Sequence, residues 1–529
     1  MPPPVTELDD IQALLKGGFG DLTEAVFLLL TITDPDGARA WLAGARVTSV
    51  ADMREHLTSA MQVAVTAAGL AALGLDAAAL AGFSAEFVTG MSGDEARARR
   101  LGDVGANAPA GWDWGGARGD PHLLVMLYAA PGDLGALRDK VETADFRSAF
   151  TVLALPTIDM KGREPFGFVD GVSQSVLDWA GARTPGTAAD CDYGNLIAAG
   201  EFLLGYPNEY GRLTRRPLLE PAHDPGNILP AAADDPTRRD LGRNGSYLVL
   251  RQLSQDVRGF WRWVRSQEPR GSADALAEAM VGRGLSGEAL IATGGRALRG
   301  VGPKADDLRL NGFTYDGDPR GLACPFGGHV RRANPRTGDM PGGVGNWLTR
   351  QLRRLGLDRQ DPRADVVAAS RFHRILRRGR EYGRFIEPAQ AADPAADDPA
   401  GGLHFICLAA NIARQFEFIQ GAWLMSAKFG GLTGEQDPLL GNRLPFPPGV
   451  ATDGFSIPQA AGAARKVAPL PQFVTVRGDA YFFLPGLRAL RFIARGAISG
   501  ERDSTRLTQD GETTHWQVSS LAAGGDVLL

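Results

Sequence analysis

The sequence predicts an α+β protein made of two ferredoxin-like domains, each an antiparallel sheet covered by helices. The prediction rests on a pattern that occurs four times: a short apolar strand, a polar break, and a helix with apolar residues on one face. Two copies lie in each half of the chain. Each helix follows its strand after only a few residues, so we expect it to pack back onto the sheet. The four segments span residues 24–45, 121–142, 245–266 and 402–423.

The first segment begins with the apolar run AVFLLLTI, which we expect to form a buried strand and which is too short to span a bilayer. In the last segment, Ile412, Phe416 and Ile419 recur at helical spacing, as in a helix packed by one face. The stretch between the halves is rich in Pro, Asp and Asn, a composition that predicts a linker. The expected organisation is an N-terminal domain at 1–219, the linker at 220–244 and a C-terminal domain at 245–529.

Composition excludes several classes of protein. The net charge of the 529-residue chain is only −5, so no electrostatic footprint for nucleic acid or an anionic membrane is present. The three cysteines, Cys191, Cys324 and Cys407, lie too far apart for a structural zinc site or a disulfide framework, and they suit a reducing compartment. The N-terminus has neither a basic and apolar leader nor a twin-arginine motif. We therefore expect a cytoplasmic protein.

One carboxylate stands in an unusual setting in EPFGFVDGVSQ, residues 164–174. Asp170 lies between Gly167 and Gly171 and directly follows Phe168 and Val169. An acid among apolar neighbours is either desolvated, with a shifted pKa, or turned outward in a tight turn. Because Asp-Gly is a common turn dipeptide, the segment by itself leaves both interpretations open.

His329 is distinguished from the other six histidines by its neighbours in CPFGGHVRRANPR. The two preceding glycines allow a bulky group to approach the backbone closely. Arg331, Arg332 and Arg336 follow it and form a cluster able to bind an anionic group. Taken alone, the segment also fits an ordinary core or surface histidine.

A second group of arginines occurs in FHRILRRGREYG, where Arg377 and Arg378 precede a helix- or strand-breaking Gly379. In isolation this segment also fits a solvated basic face. The chain has no HExxH pattern, which makes a zinc hydrolase improbable. A carboxylate in an apolar setting, fixed arginines and an available histidine are, however, the parts that peroxide chemistry on haem requires.

These motifs, in this order, give the sequence a close resemblance to the dye-decolorizing peroxidases over nearly its whole length. The resemblance also includes RARRLGDVGANAPAGWDWGG, GEFLLGYPNEYG, NGSYLVLRQL and GLHFICLAANIARQFEFIQ. The length, the absence of a leader and an extended segment at 337–371 make the chain most similar to the larger "advanced" members, the fungal type and its bacterial relatives.

The resemblance implies one haem b per chain, held mainly by the second domain. It implies reduction of hydrogen peroxide and oxidation of dyes, phenolics or other one-electron donors through an oxoferryl radical intermediate. Asp170 matches the distal acid–base, and Arg377 matches the distal arginine, with Arg378 as the neighbour that could be confused with it. His329 matches the proximal iron ligand, and His373 or His404 would take that place if it does not.

The same resemblance assigns supporting residues around the haem. Leu403 and Phe405 project to one side of a strand and resemble the wall that limits access to the iron. Arg331 is expected to pair with a haem propionate, and Glu417 or Asn411 to accept a hydrogen bond from the proximal histidine. The remaining residues expected at the cofactor are Gly167, Phe168, Val169 and Gly171.

Two other functions stay open at this point. One is a haem carrier or storage protein, and the other is a different haem-processing enzyme on the same fold. Asp170 and Arg377 together argue against a carrier, because neither is needed merely to hold haem. No nucleic acid or membrane partner is expected, and a homo-oligomer is compatible with the sequence.

Overall fold

The structure, a computed structural model, describes residues 5–54, 56–184, 193–268, 272–292, 310–339, 369–391, 393, 400–445 and 449–496. Most of the extended segment predicted at 337–371 lies outside these residues. The strands are β1 (Glu24–Ile32), β2 (Ser59–Val65), β3 (Trp114–Gly115), β4 (Leu123–Ala129), β5 (Phe150–Pro156), β6 (Val176–Leu177), β7 (Leu196–Ile197), β8 (Leu218–Leu219), β9 (Arg239–Asp240), β10 (Ser246–Gln255), β11 (Leu376–Arg377), β12 (Arg380–Tyr382), β13 (Gly402–Ala409), β14 (Phe455–Ile457), β15 (Arg465–Val467) and β16 (Val474–Leu484).

Short α-helices connect and cover these strands, and several short 3-10 turns lie between them. The α-helices are α1 (Pro35–Gly44), α2 (Ala67–Ala72), α3 (Ala77–Leu80), α4 (Ala85–Thr89), α5 (Glu95–Leu101), α6 (Leu134–Val141), α7 (Ala144–Ala149), α8 (Val257–Gln267), α9 (Ala273–Val281), α10 (His329–Ala333), α11 (Ala369–Phe372), α12 (Pro388–Ala391) and α13 (Leu487–Arg495).

The main sheet repeats one strand order in the two halves of the chain. In the first half the order is β5-β1-β4-β2, and in the second it is β16-β10-β13-β11. Counted along each half, both read fourth, first, third, second, and the neighbours are antiparallel. This is the ferredoxin-like arrangement, so the predicted fold class is confirmed. The two sets meet where Phe483 of β16 pairs with Val65 of β2.

The predicted strand–helix segments form for identifiable local reasons. Asp34 caps α1 by accepting the amide of Asp36 at 3.0 Å, and Pro35 occupies the first turn. Asp256 caps α8 by accepting the amide of Gly259 at 2.7 Å. The fourth segment differs, because after β13 the chain forms two π-helical stretches, Ala413–Glu417 and Ile419–Leu424, instead of an α-helix.

The sheet separates two apolar cores. Because side chains alternate along a strand, Val26, Leu28 and Leu30 of β1 enter one core, while Phe27 and Leu29 enter the other. Each core also contains residues of the second half of the chain, among them Val249 and Phe483 in the first and Leu250 and Phe482 in the second. The predicted apolar residues Ile412, Phe416 and Ile419 are all buried.

The stretch predicted as a linker has local structure of its own. Its strand β9 pairs antiparallel with β8, and Asp240 of β9 accepts a hydrogen bond from Arg216 at 2.6 Å. The domain bounds on either side of this stretch stay a prediction. Within the part of the chain described here, no helix combines the length and apolar character needed to cross a membrane.

Candidate active site

A cavity of about 290 Å³ brings together residues from both halves of the chain. Its lining includes the three residues predicted to carry the chemistry, Asp170, His329 and Arg377. Four of the predicted supporting residues also line it, namely Phe168, Val169, Leu403 and Phe405. Gly167 and Gly171 are not among the lining side chains; they shape the turn that presents Asp170.

The turn around Asp170 requires its glycines. Gly167 has φ +102° and Gly171 has φ +75°, backbone conformations that side chains other than glycine rarely adopt. The amide of Asp170 donates to the carbonyl of Gly162 at 2.9 Å, which folds the turn back on itself. The two interpretations left open by the sequence are therefore both correct in part: Asp170 lies in a tight turn, and the turn directs it into the cavity.

Asp170 is paired with Arg377. Nη1 of Arg377 donates to the two carboxylate oxygens of Asp170 at 2.9 and 3.3 Å, and Nη2 donates to the carbonyl of Ser173 at 3.3 Å. The amide of Arg377 donates to the side-chain oxygen of Gln174 at 3.2 Å. Strand β11 and the turn are thus connected by hydrogen bonds that involve backbone groups as well as by the ion pair.

The pairing sets the ionisation of Asp170. Burial alone would raise the pKa of this carboxyl group, but the charge of Arg377 and the amide of Gly171 outweigh burial and leave the pKa below its ordinary value. The charge of His329 acts in the same direction. Asp170 is therefore a carboxylate, able to accept a proton, at all but strongly acidic pH.

Arg378, the neighbour that the sequence could not separate from Arg377, points away from the cavity. Its Nε donates to the carbonyl of Leu14 at 2.7 Å and its Nη2 to that of Leu15 at 3.2 Å. Burial and the nearby charge of Arg377 lower the pKa of Arg378 to about 10. Successive residues of a strand point to opposite faces, so only Arg377 of this pair can act in the cavity.

His329 begins helix α10, and its Nδ1 donates to Oδ2 of Asp437 at 3.0 Å. Asp437 is completely buried, and its other oxygen accepts the amides of Leu439 and Leu440 at 2.9 Å each. Burial would lower the pKa of His329, but the charge and hydrogen bond of Asp437 raise it above its ordinary value. With Nδ1 engaged, Nε2 is the ring nitrogen left to bind a ligand.

The prediction that Glu417 or Asn411 accepts a hydrogen bond from His329 is wrong. Glu417 instead forms an ion pair with Arg97 (Nε to Oε1, 2.9 Å) and accepts hydrogen bonds from Arg100 at 3.3 Å and from the Tyr481 hydroxyl at 2.9 Å, all away from the cavity lining. Asn411, the alternative, accepts the amide of Arg414 at 2.9 Å. Both belong to the segment that follows β13, where their side chains serve local structure.

The two alternative histidines have other partners: His373 also lines the cavity, whereas His404 does not. Nδ1 of His373 bonds to the carbonyl of Arg414, and its ring stacks on Phe418 with centroids 3.5 Å apart. His404 contacts the carbonyl of Pro156 through Nε2 at 3.1 Å, on the face of β13 opposite Leu403 and Phe405. Burial lowers the pKa of each of these two histidines to about 4.

Arg331 does not take the predicted place at a propionate. Its guanidinium is buried, donates to Asp318 Oδ2 at 3.1 Å and to the carbonyl of Cys324 at 2.6 Å, and lies over the rings of Tyr315 and Phe326. The positive charge of Arg331 is therefore paired with Asp318 inside the fold. Residues two apart on a helix point about 200° away from each other, so His329 and Arg331 cannot serve the same cavity.

Other arginines line the cavity instead. Arg374 donates to Ser175 at 3.1 Å, to Tyr193 at 3.1 Å and to Asn195 at 2.6 Å. Arg283 has its pKa lowered to about 10, first by burial and then by the charges of Arg336 and Arg377, which indicates a local excess of positive charge. The cavity-lining cations besides Arg377 are Arg251, Arg283, Arg336 and Arg374. The sequence offered no signal for Arg283, which lies outside every motif.

Comparison with solved structures identifies this fold. The chain is similar to the crystal structure of a fungal DyP-type peroxidase from Auricularia auricula-judae, with a TM-score of 0.66, 24% identity and coverage of 92% of this chain and 99% of that one. It is also similar to a DyP-type peroxidase from Anabaena sp., with a TM-score of 0.64, 22% identity and coverage of 92% and 94%. At these identities the likeness defines the fold class.

Sequence relatives define the family. The chain is 31% identical over 520 residues to a multifunctional dye peroxidase of Amycolatopsis sp., covering 91% of this chain and 92% of the relative. It is 26% identical over 511 residues to a dye-decolorizing peroxidase of Auricularia auricula-judae, covering 91% and 86%. No protein-family model matches the chain. The chain belongs to the dye-decolorizing peroxidases.

Proposed function

We propose that this peroxidase holds one haem b per chain, reduces hydrogen peroxide and oxidises dyes, phenolics or other one-electron donors. The observation that carries the proposal is that Asp170, Arg377 and His329 line one cavity, with Nδ1 of His329 already bound to Asp437. A ring nitrogen of His329, an ionised acid and a fixed cation are thereby available at a single cavity.

The residues of the cavity fit haem. His329 would bind the iron, because a histidine whose second nitrogen donates to a buried carboxylate is the usual arrangement at a metal. The described residues contain no group of three or more His, Cys, Asp or Glu side chains placed to hold a metal ion, so a porphyrin would have to supply further ligands. When bound, haem supplies the redox centre that takes oxidising equivalents from peroxide and passes them to donors one electron at a time. Arg283, Arg336 and Arg374 would hold the haem propionates. Leu403 and Phe405 would form the apolar wall of the site.

Asp170 would act as the acid–base. Its carboxylate takes the proton from one oxygen of peroxide and returns it to the other, so that the O–O bond breaks with water as the leaving group. The lowered pKa of Asp170 keeps it in the accepting form at all but strongly acidic pH. Proton transfers of this kind typically contribute about 10²–10⁴-fold to a rate.

Arg377 would act as the fixed charge. The guanidinium contacts Asp170 and Ser173, and the backbone amide of Arg377 donates to Gln174, so the cation is held at the cavity wall before peroxide arrives. A preorganised cation stabilises negative charge that develops on the departing oxygen without reorganisation during the reaction. The pairing of Arg377 with Asp170 favours an enzyme over a haem carrier, since storage requires neither group.

The absorption spectrum of the haem-loaded protein before and after one equivalent of peroxide tests the proposal, together with turnover of a one-electron dye. The matched control is a variant carrying both Asp170→Asn and Arg377→Leu, which should hold haem and lose turnover. Dye turnover in that variant equal to wild type would contradict the proposed roles of Asp170 and Arg377. Haem retained by the wild-type protein with no response to peroxide would favour a carrier or another haem-processing activity.

We also propose a cytoplasmic location and leave the oligomeric state to measurement. The location is supported by the wide separation of the cysteines in the sequence. Cys324 and Cys407 are both buried and free, as expected for a reducing compartment. Cell fractionation and light scattering, respectively, would test these two points.

A further inference from the structure

A carboxyl group other than that of Asp170 lines the cavity at the start of the turn that carries Asp170. Glu164 lies on the cavity wall together with Gln255 of β10. The mechanism above assigns it nothing, because one acid–base and one cation suffice for peroxide. Its contacts are directed at the turn.

Both oxygens of Glu164 hold the backbone that leads to Asp170. Oε1 accepts the amide of Phe168 at 3.1 Å, and Oε2 accepts the amide of Phe166 at 3.0 Å. The backbone amide of Glu164 donates to the carbonyl of Phe168 at 2.8 Å. Only Val169 separates this set of bonds from Asp170.

Glu164 also connects the turn to the main sheet. Nε2 of Gln255 donates to Oε2 of Glu164 at 3.1 Å, and the amide of Gln255 donates to the carbonyl of Gly401 at 2.9 Å. Phe166 is anchored separately, since its carbonyl accepts Nε1 of Trp261 at 2.9 Å. The turn is therefore fixed on one side by α8 and on the other by β10, and Glu164 provides the second connection.

We propose that Glu164 is a positioning residue for Asp170: it holds the turn so that the Asp170 carboxylate stays paired with Arg377 and directed into the cavity. The inference rests on the proposed role of Asp170. It assigns Glu164 no contact with peroxide.

The ionisation of Glu164 makes the proposal testable. Burial raises the pKa of Glu164 to about 7, with the charge of Asp170 adding to the rise and the bonds from Phe166, Phe168 and Gln255 opposing it. Glu164 is therefore neutral in the acid range, in which Gln has the same charge and nearly the same shape. Asp170 and Glu164 influence each other through their charges. The charged groups that interact with Asp170 are Arg377, His329, Glu164 and Glu381.

Two substitutions separate positioning from proton transfer. Glu164→Ala removes both acceptors, so the pairing of Asp170 with Arg377 should loosen and the pKa of Asp170 should rise. The acid limb of the peroxide reaction, which is the fall in rate as Asp170 becomes protonated, should therefore move to higher pH. At about pH 5, above the usual carboxylate pKa of ~4, Glu164→Gln keeps one of the two acceptor oxygens and should be slowed less than Glu164→Ala. Glu164→Ala should be slower by about three- to tenfold, the scale of one net hydrogen bond. Above pH 7, where Glu164 ionises, Glu164→Gln should also depart from wild type.

Glu381→Gln is the matched control. Burial raises the pKa of Glu381 to about 7 as well, and its charge is coupled to that of Asp170, but the bonds that hold the turn come from Glu164. Glu381→Gln should leave the acid limb in place. A Glu164→Ala variant with a wild-type acid limb and rate would overturn the proposal. So would Glu164→Gln and Glu164→Ala variants that are equally slow at acid pH and keep a wild-type acid limb, because that result would make Glu164 a proton donor rather than a positioning residue.

A second measurement does not depend on turnover. In pH-difference infrared spectra of the holoenzyme, the protonated carboxyl of Glu164 should titrate near neutral pH and be missing from Glu164→Gln. Its midpoint should fall in Asp170→Asn, because the neighbouring negative charge is gone. An unchanged midpoint would overturn the proposal even if Glu164→Ala failed to fold, since the two carboxyl groups would then not be coupled.

Discussion

Nη1 of Arg377 lies 2.9 Å from Oδ1 of Asp170, although 207 positions separate the two residues in the chain. Asp170 comes from a turn in the first half and Arg377 from β11 in the second. The reactive pair therefore exists only when both halves are folded against each other. Arg377 also sets the state of Asp170, because its positive charge helps to keep the acid ionised.

Asp170→Asn should fold and bind haem normally but react with peroxide at least about 10²-fold more slowly, since Asn cannot accept the proton. In wild type the rate should fall as pH drops through the lowered pKa of Asp170, below the ordinary value of 3.8. Stopped-flow rates over acid and neutral pH check both points. An Asn variant within about twofold of wild type at every pH would show that electrostatics from Arg377 carries the reaction.

Arg377→Leu should slow the peroxide reaction by at least about tenfold, because one preorganised charge is lost. It should also raise the pKa of Asp170 and move the acid limb to higher pH, since the opposite charge next to the carboxylate is removed. Arg378→Leu is the control; it loses bonds to Leu14 and Leu15 and should lower the melting temperature while leaving the acid limb unchanged. The reverse pattern would assign the role to Arg378.

His329→Ala should purify with little haem and without the spectrum of a histidine-ligated iron. The reason is that His329 is the cavity-lining histidine with a ring nitrogen held by a buried carboxylate. Haem content and the absorption spectrum measure the result. His373→Ala and His404→Ala serve as comparisons, and retention of the wild-type spectrum in His329→Ala would move the ligand to one of them.

Asp437→Asn should retain haem but raise the reduction potential of its iron. A neutral partner leaves the imidazole of His329 less basic, so the ferric state is stabilised less. Spectroelectrochemical titration gives the potential. Glu417→Gln, at the site first expected to hold this role, should leave the potential where it is; a shift there and none in Asp437→Asn would restore the original assignment.

The stability of the protein should fall in mildly acid solution because of His404. Its pKa is about 4 in the fold and 6.5 as an ordinary value, so the unfolded chain binds the proton more tightly. Stability from this group is complete above pH 6.5 and decreases as pH falls toward 4, by up to about 3 kcal/mol. Urea unfolding of wild type and His404→Gln at several pH values tests this. A loss of stability equally steep in both proteins would place its origin in other groups.

The long strands and the motif that carries Asp170 could be predicted from the sequence because each is marked by a pattern of neighbouring residues. Strand β1 is a continuous apolar run, and Asp170 sits between two glycines that a turn with positive φ requires. Arg377 and Arg378 could not be separated, since their difference depends on which face of β11 meets the cavity.

Asp437 could not be found by the same means. It is 108 residues from His329, and its carboxylate closes a local turn onto Leu439 and Leu440 that looks like any other turn in the sequence. The prediction for Arg331 is wrong for the opposite reason. Arg331 is close to His329 in sequence, but the two side chains point in different directions from the helix. The π-helical stretches after β13 carry ordinary helical spacing and leave no mark that distinguishes them from an α-helix.

The two apolar cores, each built from both halves of the chain, have a consequence for dissection of the protein. A fragment ending near residue 219 would present to water the apolar side chains that now cover Val249 and Phe483, and its counterpart would do the same. Surfaces of that kind cause association. Separately produced fragments should therefore precipitate alone and become soluble when made together, and the full chain should melt in a single calorimetric transition.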